Sequence, residues 1–485
     1  MMNAESIVST LAGYGGPRGA FRFMPLSADM IFMLLVYGGL LTGFGVIKMF
    51  AEVGNAIGNH IRGGVAFSAL VGSSLIGMVT GQAISNIALS GSMSIPVMNR
   101  CGLSREKSGA VEIIASTGSQ LLPPIMGLGA FLMAEILGMD YFVIIMAGLI
   151  PGVLYLAATA IGITALTASS ENLSKSSEPV DYRLVLWTLP SLVVSLGMII
   201  AVLYARYSPG LAGFLGCVSL ILMGTLRPRR YRPKLEAVVE GFSNGLRIAI
   251  YLALMLAAIG IVVQVLSTTG TGIALGGIIA QASSGSVGIA LLIGMIVSLF
   301  IGMGLPTPAA YSLIAIIVAP ALIDVGLMPL TAHMFGFYFA IFSALTPPIA
   351  VGVLTATRIS GGTFGGTVVE SFKLGGVCFL IPFLFVSQPE LLTPHEISLS
   401  SMISILSFLA ATVIAAGVIY GGYGNPLNIR SRMFSACIGP GVFLVYLATD
   451  IIMLALIPLG VTIFSASRYI PKINKHHTQE KTCDR

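Results

Sequence analysis

Charge is what this sequence has least of. Only 9% of its 485 residues are Asp, Glu, Lys or Arg, whereas 56% are hydrophobic. Soluble domains carry roughly 25% charged residues, so the composition excludes a soluble domain and points to a polytopic membrane protein. The net charge of +6 is spread over short basic loops, which fits membrane topology and calls for no nucleic acid. Cysteine is scarce too. Cys101, Cys217, Cys378, Cys437 and Cys483 are scattered, with no Cys-x-x-Cys and no His spacing suited to zinc. There is no HExxH, no P-loop GKS/T, no dinucleotide fingerprint and no nucleophile–base pair, so nothing supports an enzyme. The opening residues, MMNAESIVSTLAGYGGPRGAF, lack a charged stretch followed by an apolar one, and no cleavable signal peptide is expected.

What is abundant is the long apolar run, and some of these runs are interrupted. Val287–Ala321 contains GMGLPTPAAY, Gly302–Tyr311. Gly302, Gly304, Pro306 and Pro308 break a helix there. Irregular backbone survives at membrane depth only where it packs in protein or lines a cavity. The stretch reads either as a re-entrant hairpin with Thr307 at its polar tip or as a Pro-kinked spanning helix. A second copy of the pattern favours the hairpin. IGM at Ile76–Met78 recurs at 301–303, and the first copy runs on into TGQAISN, Thr80–Asn86. PVMNRCGL (Pro96–Leu103) matches PALIDVGL (Pro320–Leu327), and SQLLPPI (Ser119–Ile125) matches SALTPPI (Ser343–Ile349). The last two pairs are 224 residues apart, and Met78 and Met303 are 225 apart. Paired interrupted segments in two halves mark a transporter's binding site.

The order of segments follows from spans of ~20 apolar residues. After an N-terminal segment, 1–27, a first repeat covers 28–168. It holds a span Ala28–Ile47, an interfacial amphipathic helix Met49–Ile61, a hairpin 64–98, a helix 110–137 broken at Gly118–Pro124, and a span Phe142–Ala168. Residues 169–240 contain the polar linker Ser169–Arg183 and spans Leu184–Tyr204 and Leu211–Leu226. A second repeat, 241–388, holds Phe242–Leu266, the short Ile273–Ala282, a hairpin 287–321, a helix 332–355 broken at Ser343–Pro348, and Phe372–Val386. Ser400–Tyr420 and Met433–Ala466 lie in 389–467, before a polar tail, 468–485. Arg62, Arg100, Arg105 and Lys107 flank the first hairpin and Arg227–Lys234 marks a cytoplasmic loop. The second hairpin has only Gln281 and Asp324 nearby. The halves therefore enter from opposite faces, although Arg18 and Arg22 then fall outside, against the rule. The expected fold is all-α, an inverted-topology repeat with two re-entrant hairpins and two broken helices.

Tips and breaks should meet near the midplane, where each break frees backbone carbonyls and amides. The expected substrate contacts are Thr80, Gln82, Ser85 and Asn86 at the first tip, Gln120 at the first break, and Pro306 and Thr307 at the second tip. One Na⁺ is expected between Thr80 and Ser116 and Ser119. A second is expected among Gly302, Gly304, Thr307, Ser343 and Thr346. Hydroxyls and carbonyls without a carboxylate cluster suit Na⁺ better than Mg²⁺. For each hydroxyl, the competing reading is a hydrogen bond to its own helix. Glu112 and His333 lie near the starts of the broken helices and are expected to be solvated, proton coupling through either being the rival scheme. Glu135 should snorkel, and Arg206 and Lys373 should be interfacial.

At GAVEIIASTGSQLLPPIMGLGAFLMAEILG (Gly109–Gly138), GMGLPTPAAY and FYFAIFSALTPPIAVG (Phe337–Gly352) the chain resembles the large membrane subunit of TRAP transporters. It is most similar to the fused-permease branch that works with TAXI-type proteins, over roughly Pro25 to Leu392. The resemblance implies an elevator-type secondary transporter in a bacterial or archaeal inner membrane, sodium symport and a small organic acid as substrate. It also implies a periplasmic TAXI-type solute-binding protein and a small TRAP membrane subunit, or missing upstream helices, as partners within the membrane lipids. Two motifs depart from the family pattern: Thr80-Gly81-Gln82 replaces Ser-Gly-Ser, and Pro306-Thr307-Pro308 replaces PTT. A self-sufficient ion-coupled symporter and a passive channel are the other readings.

Overall fold

A computed structural model describes residues 19–462 apart from 62, 171–172, 174, 177–179, 422–428, 450–453, 455 and 459, together with 482–483. The expectations for the signal peptide, Arg18, Arg62, parts of the linker and the tail lie outside the described residues.

The protein is an all-α polytopic membrane protein. Seven helices among the described residues are long and apolar enough to cross a membrane. Helices satisfy their own backbone, which hydrocarbon demands. A π turn at Leu26–Ile31 leads into α1 (Phe32–Gly43), which ends before the expected Ile47 because Gly45 takes φ 74° and opens α2 (Val46–Gly58). α3 (Gly64–Thr80) folds back on α4 (Ala83–Arg100) through Gly81 and Gln82, with Gly81 at φ 66°. α5 (Arg105–Ser119) and α6 (Gly129–Leu137) flank an irregular stretch, and α7 (Tyr141–Ala168) follows. α8 (Tyr182–Tyr204) and α9 (Pro209–Thr225) separate this series from the next.

The order then repeats. α10 (Leu235–Thr269) and α11 (Thr271–Ala282) precede the pair α12 (Val287–Gly302) and α13 (Thr307–Asp324). α14 (Pro329–Phe342) and α15 (Val351–Ser360) flank a second irregular stretch. The expected span Phe372–Val386 lies within one of the seven, Phe364–Ser387, which is built of α16 (Phe364–Gly375), a 3-10 turn, and α17 (Ile381–Ser387). Thr363 caps it eight residues early by accepting from the Gly366 amide, and the Gly375-Gly376 pair followed by Pro382 interrupts the α pattern. α18 (Leu399–Tyr420) follows, and then α19 (Ile429–Ala436) and α20 (Val442–Thr449) meet at a π turn containing Pro440. Strand pairing among the described residues is confined to Lys175–Ser176 with Thr482–Cys483.

Two packing features position the site. First, α1 crosses α10 at glycines spaced four apart on both helices, Gly39 and Gly43 against Gly241 and Gly245. A methyl at Gly39 would lie 2.4 Å from the Gly241 carbonyl oxygen, so only glycine lets the backbones approach. Second, the segments after the two breaks are exchanged. α6 packs against α13 and α14, while its repeat counterpart α15 packs against α4 and α5. Each series thus completes the other. Only a third of the apolar windows of α8 and α10 is buried against the protein. Their exposed Leu186, Val193, Ile250 and Leu254 leave these faces to lipid.

The basic residues are not all solvated markers. Arg227 is buried, donating from Nε to Ser191 Oγ at 3.0 Å and from Nη1 to the Phe44 carbonyl at 2.7 Å. Arg206 pairs with Asp140 at the surface and Lys373 with Glu370 at 2.7 Å, while Glu135 is exposed. Cys101, Cys217 and Cys378 are buried and free, and Cys437 is exposed.

Candidate functional site

The two irregular stretches share their construction. Each contains a Pro-Pro pair with a cis bond, Pro123-Pro124 and Pro347-Pro348. Each α-helical stem ends in a serine that back-bonds three residues: Ser119 Oγ donates to the Ser116 carbonyl at 2.6 Å, and Ser343 Oγ to the Ala340 carbonyl at 2.7 Å. Each serine also fills the space left by a glycine near the end of the opposing helix. A methyl at Gly77 would lie 1.8 Å from Ser119 Oγ, and one at Gly302 would lie 2.4 Å from Ser343 Oγ. Ser343 Oγ also lies 3.0 Å from the Gly302 carbonyl, joining the second tip to the second break.

The tips do not keep to their own series. Thr307 Oγ1, at the start of α13, donates to Gln120 Oε1 at 2.8 Å. Gln120 is fully buried at the end of α5, and its backbone oxygen accepts from Gly127 N at 2.6 Å. The amide Nε2 of Gln120 has no partner among the described residues. A buried amide donor left open between a tip and a break can meet an acceptor on a bound molecule. Tyr141 of α7 donates to the carbonyls of Pro124 (3.2 Å) and Ile125, and so satisfies part of what the first break frees. At the second tip Gly304 is exposed with φ +76°, a conformation that favours glycine.

Of the other expected site residues, Thr80 Oγ1 is 3.5 Å from the Gly77 carbonyl and Thr346 Oγ1 is 3.0 Å from the Phe342 carbonyl. Both bonds are local to their own helices. Gln82 and Pro306 are half-buried at the tips. Ser85 is exposed, next to the buried Asn86. Asn86 and Ser116 turn out to sit lower, in a polar cluster that the sequence reading missed.

That cluster is built on Glu112. The carboxylate is fully buried, not solvated as expected. It accepts hydrogen bonds from Ser90 and Ser116 on Oε1, the latter at 3.1 Å, and from Ser94 on Oε2. Ser73 Oγ joins Ser116 Oγ at 2.8 Å, and Asn86 Nδ2 donates to the Ser73 carbonyl at 2.8 Å and to Ser73 Oγ at 3.1 Å. Asn86 Oδ1 has no partner among the described residues. Spacing of four carried a signal for it: Asn86, Ser90 and Ser94 share one face of α4, and Glu112 and Ser116 one face of α5. His333 is also buried, not solvated, 2.7 Å from Tyr311 Oη across α14 and α13.

Residues 19–392 match the family described as tripartite ATP-independent periplasmic transporter, DctM component. The chain is similar to the C4-dicarboxylate TRAP transporter large permease protein DctM of Pseudomonas aeruginosa. Identity is 22% over 379 residues, covering 76% of this chain and 86% of that protein. It is also similar to the uncharacterized protein y4mL of Sinorhizobium fredii, 24% identical over 352 residues, 71% of this chain and 82% of that protein.

Proposed function

We propose a transport cycle for this chain, which belongs to the DctM component family of the tripartite ATP-independent periplasmic (TRAP) transporters. It is a multi-pass inner-membrane permease component of a secondary transporter. In our reading the transporter is sodium-driven, imports a small organic acid, and receives it from a TAXI-type periplasmic solute-binding protein with a small TRAP membrane subunit at its side. The α3–α4 and α12–α13 pairs act as re-entrant hairpins. Together with the two broken helices they form a unit that slides, elevator-fashion, against the scaffold of α1, α8, α9 and α10.

The hydrogen bond from Thr307 to Gln120 carries this reading. It ties the second tip to the first break, and in our reading one site draws on both series. The partnerless Gln120 amide faces the same junction and suits a substrate carboxylate, helped by the amides that a broken helix exposes. One Na⁺ is assigned between Thr80 and Ser119, without the expected Ser116, whose hydroxyl is held by Glu112 and Ser73, and the other to Gly302, Gly304, Thr307, Ser343 and Thr346, mostly through carbonyls. An apolar cavity of about 260 Å³ separates Met78 and Pro124 from Leu196 and Ile200 of α8. A greasy gap of this kind suits a sliding contact.

The test is reconstitution of the chain alone, with the small subunit, and with both partners. Uptake of an organic acid should need all three. Full uptake by the chain alone would favour the self-sufficient symporter, and flux without an ion gradient would favour a channel.

A further inference from the structure

The two series share a backbone plan but not a chemistry. Residue by residue, at 224 positions apart, Asn86 corresponds to Ala310, Ser90 to Ile314, Ser94 to Val318, Glu112 to Gly336 and Ser116 to Ala340. The correspondence is spatial as well. Ser90 bonds Glu112 in the first series, and in the second a methyl at Gly336 would lie 2.6 Å from Ile314 Cγ2. The second series packs the same helices with apolar side chains, so the fold does not require the Glu112 cluster.

Burying an unpaired carboxylate costs several kcal/mol, and no ion pair to Glu112 is present among the described residues. Of the helices packed against α5, α3 carries no titratable side chain, α4 only Arg100 and α15 only Arg358. On α16 Glu370 pairs with Lys373, and α7 presents Tyr155, whose hydroxyl is given to the Ile114 carbonyl at 2.9 Å. α5 itself carries Arg105, Glu106 and Lys107 at its start. A cavity of about 270 Å³ between α2, α3 and α4 reaches the cluster. Its lining includes Asn55 and Ser68 toward α2, Ser73, Ser90 and Ser94 at the cluster, and Arg100. It is roomy enough for water and for a small ion.

We propose that Glu112, with Ser73, Ser90, Ser94 and Ser116, is a binding site for a monovalent cation, either H⁺ or Na⁺, loaded through this cavity. It lies below the tip and adds to the sodium sites proposed there. The carboxylate supplies the charge and the serines the remaining oxygens, while the partnerless Asn86 Oδ1 offers one more acceptor. With H⁺ the carboxylate becomes a neutral acid, and with Na⁺ it becomes an ion pair. Either outcome removes the uncompensated charge before the unit moves. The proposal rests on the transport reading only for what the site does, not for whether it binds.

Infrared difference spectroscopy on the full chain in lipid nanodiscs tests it without partners or substrate. The carboxylic-acid carbonyl band is followed through a pH titration at fixed Na⁺ and a Na⁺ titration at fixed pH. A band lost on raising pH alone assigns H⁺. A midpoint that falls by about one pH unit per tenfold rise in Na⁺ assigns competition between the two. Both support the site. Glu112→Gln should abolish the band, and Ser94→Ala, which keeps the carboxylate, should shift its midpoint. The Ser94→Ala variant preserves the test should Glu112→Gln misfold. No titrating band in the parent protein, or one unchanged by both substitutions, overturns the proposal. Either null result leaves the transport reading untouched.

Discussion

Gly302→Ala is the sharpest probe of how the second tip meets its break. The added methyl would stand 2.4 Å from Ser343 Oγ and 2.6 Å from Ser343 Cβ. Overpacking of this kind costs ~1–3 kcal/mol. Displacing Ser343 also breaks its bond to the Gly302 carbonyl, worth about 1 kcal/mol. Alanine regains up to ~1 kcal/mol of helix propensity, and less here because Gly302 is the last residue of α12. The net expectation is a loss of roughly 1–3 kcal/mol. Ser343→Gly removes both clashing atoms. In a double-mutant cycle read by thermal unfolding in detergent, Gly302→Ala should therefore cost less in the Ser343→Gly background, by about 1–3 kcal/mol. Uptake should fall with Gly302→Ala and recover in part in the double variant. Strict additivity would mean that tip and break do not touch, and would refute the geometry on which the site rests.

Other outcomes follow from the same contacts. Gln120→Ala should lower substrate uptake about tenfold and, because Gln120 is buried and accepts from Thr307, should also cost about 1–3 kcal/mol of stability, whereas Thr307→Ala should weaken ion dependence moderately; concentration series in substrate and Na⁺ separate the two. Gly304→Val should abolish transport, because a branched residue resists φ +76° and its Cβ would meet Ile349 Cδ1 at 3.1 Å; binding-protein docking should survive. Gly39→Leu should unfold the α1–α10 crossing, seen as loss of a monodisperse elution peak. Hydrogen bonds from Ser398 and Ser401 hold the Glu390 carboxyl below the usual carboxylate range. A lowered folded pKa gives stability that is present above the unfolded value and lost as pH falls through the folded one. Glu390→Gln should therefore lower stability at neutral pH, flatten its fall toward acid, and change little below the folded pKa.

Much of the fold was open to reading because membrane chemistry leaves few options. An apolar run of spanning length becomes a helix, and Gly-Pro interruptions such as Gly302–Pro308 and Ser343–Pro348 mark where the helices end. The exchange of α6 and α15 was not legible, since matched motifs reveal that two series exist and not how they interlock. Pairing each tip with its own break for the ions captured Ser343 with Gly302, and the expected substrate set held both Gln120 and Thr307, which meet directly. Glu112 was misread through a boundary. With α5 starting at Ala110, Glu112 lies at a helix end. Ser104 caps the helix instead, its Oγ accepting from the Lys107 amide, so α5 starts at Arg105 and Glu112 sits roughly 10 Å along it at ~1.5 Å per residue. His333 was misread for another reason. It is close to the start of α14 at Pro329, yet Tyr311 from α13 covers it.

Uptake by the assembled complex in proteoliposomes, with Na⁺ and proton gradients imposed separately, tests the central reading most directly. An inward Na⁺ gradient alone should drive accumulation, and Thr307→Ala should shift its Na⁺ dependence to higher concentration. Accumulation that follows the proton gradient alone, is indifferent to Na⁺, and disappears in Glu112→Gln would contradict the sodium-driven account.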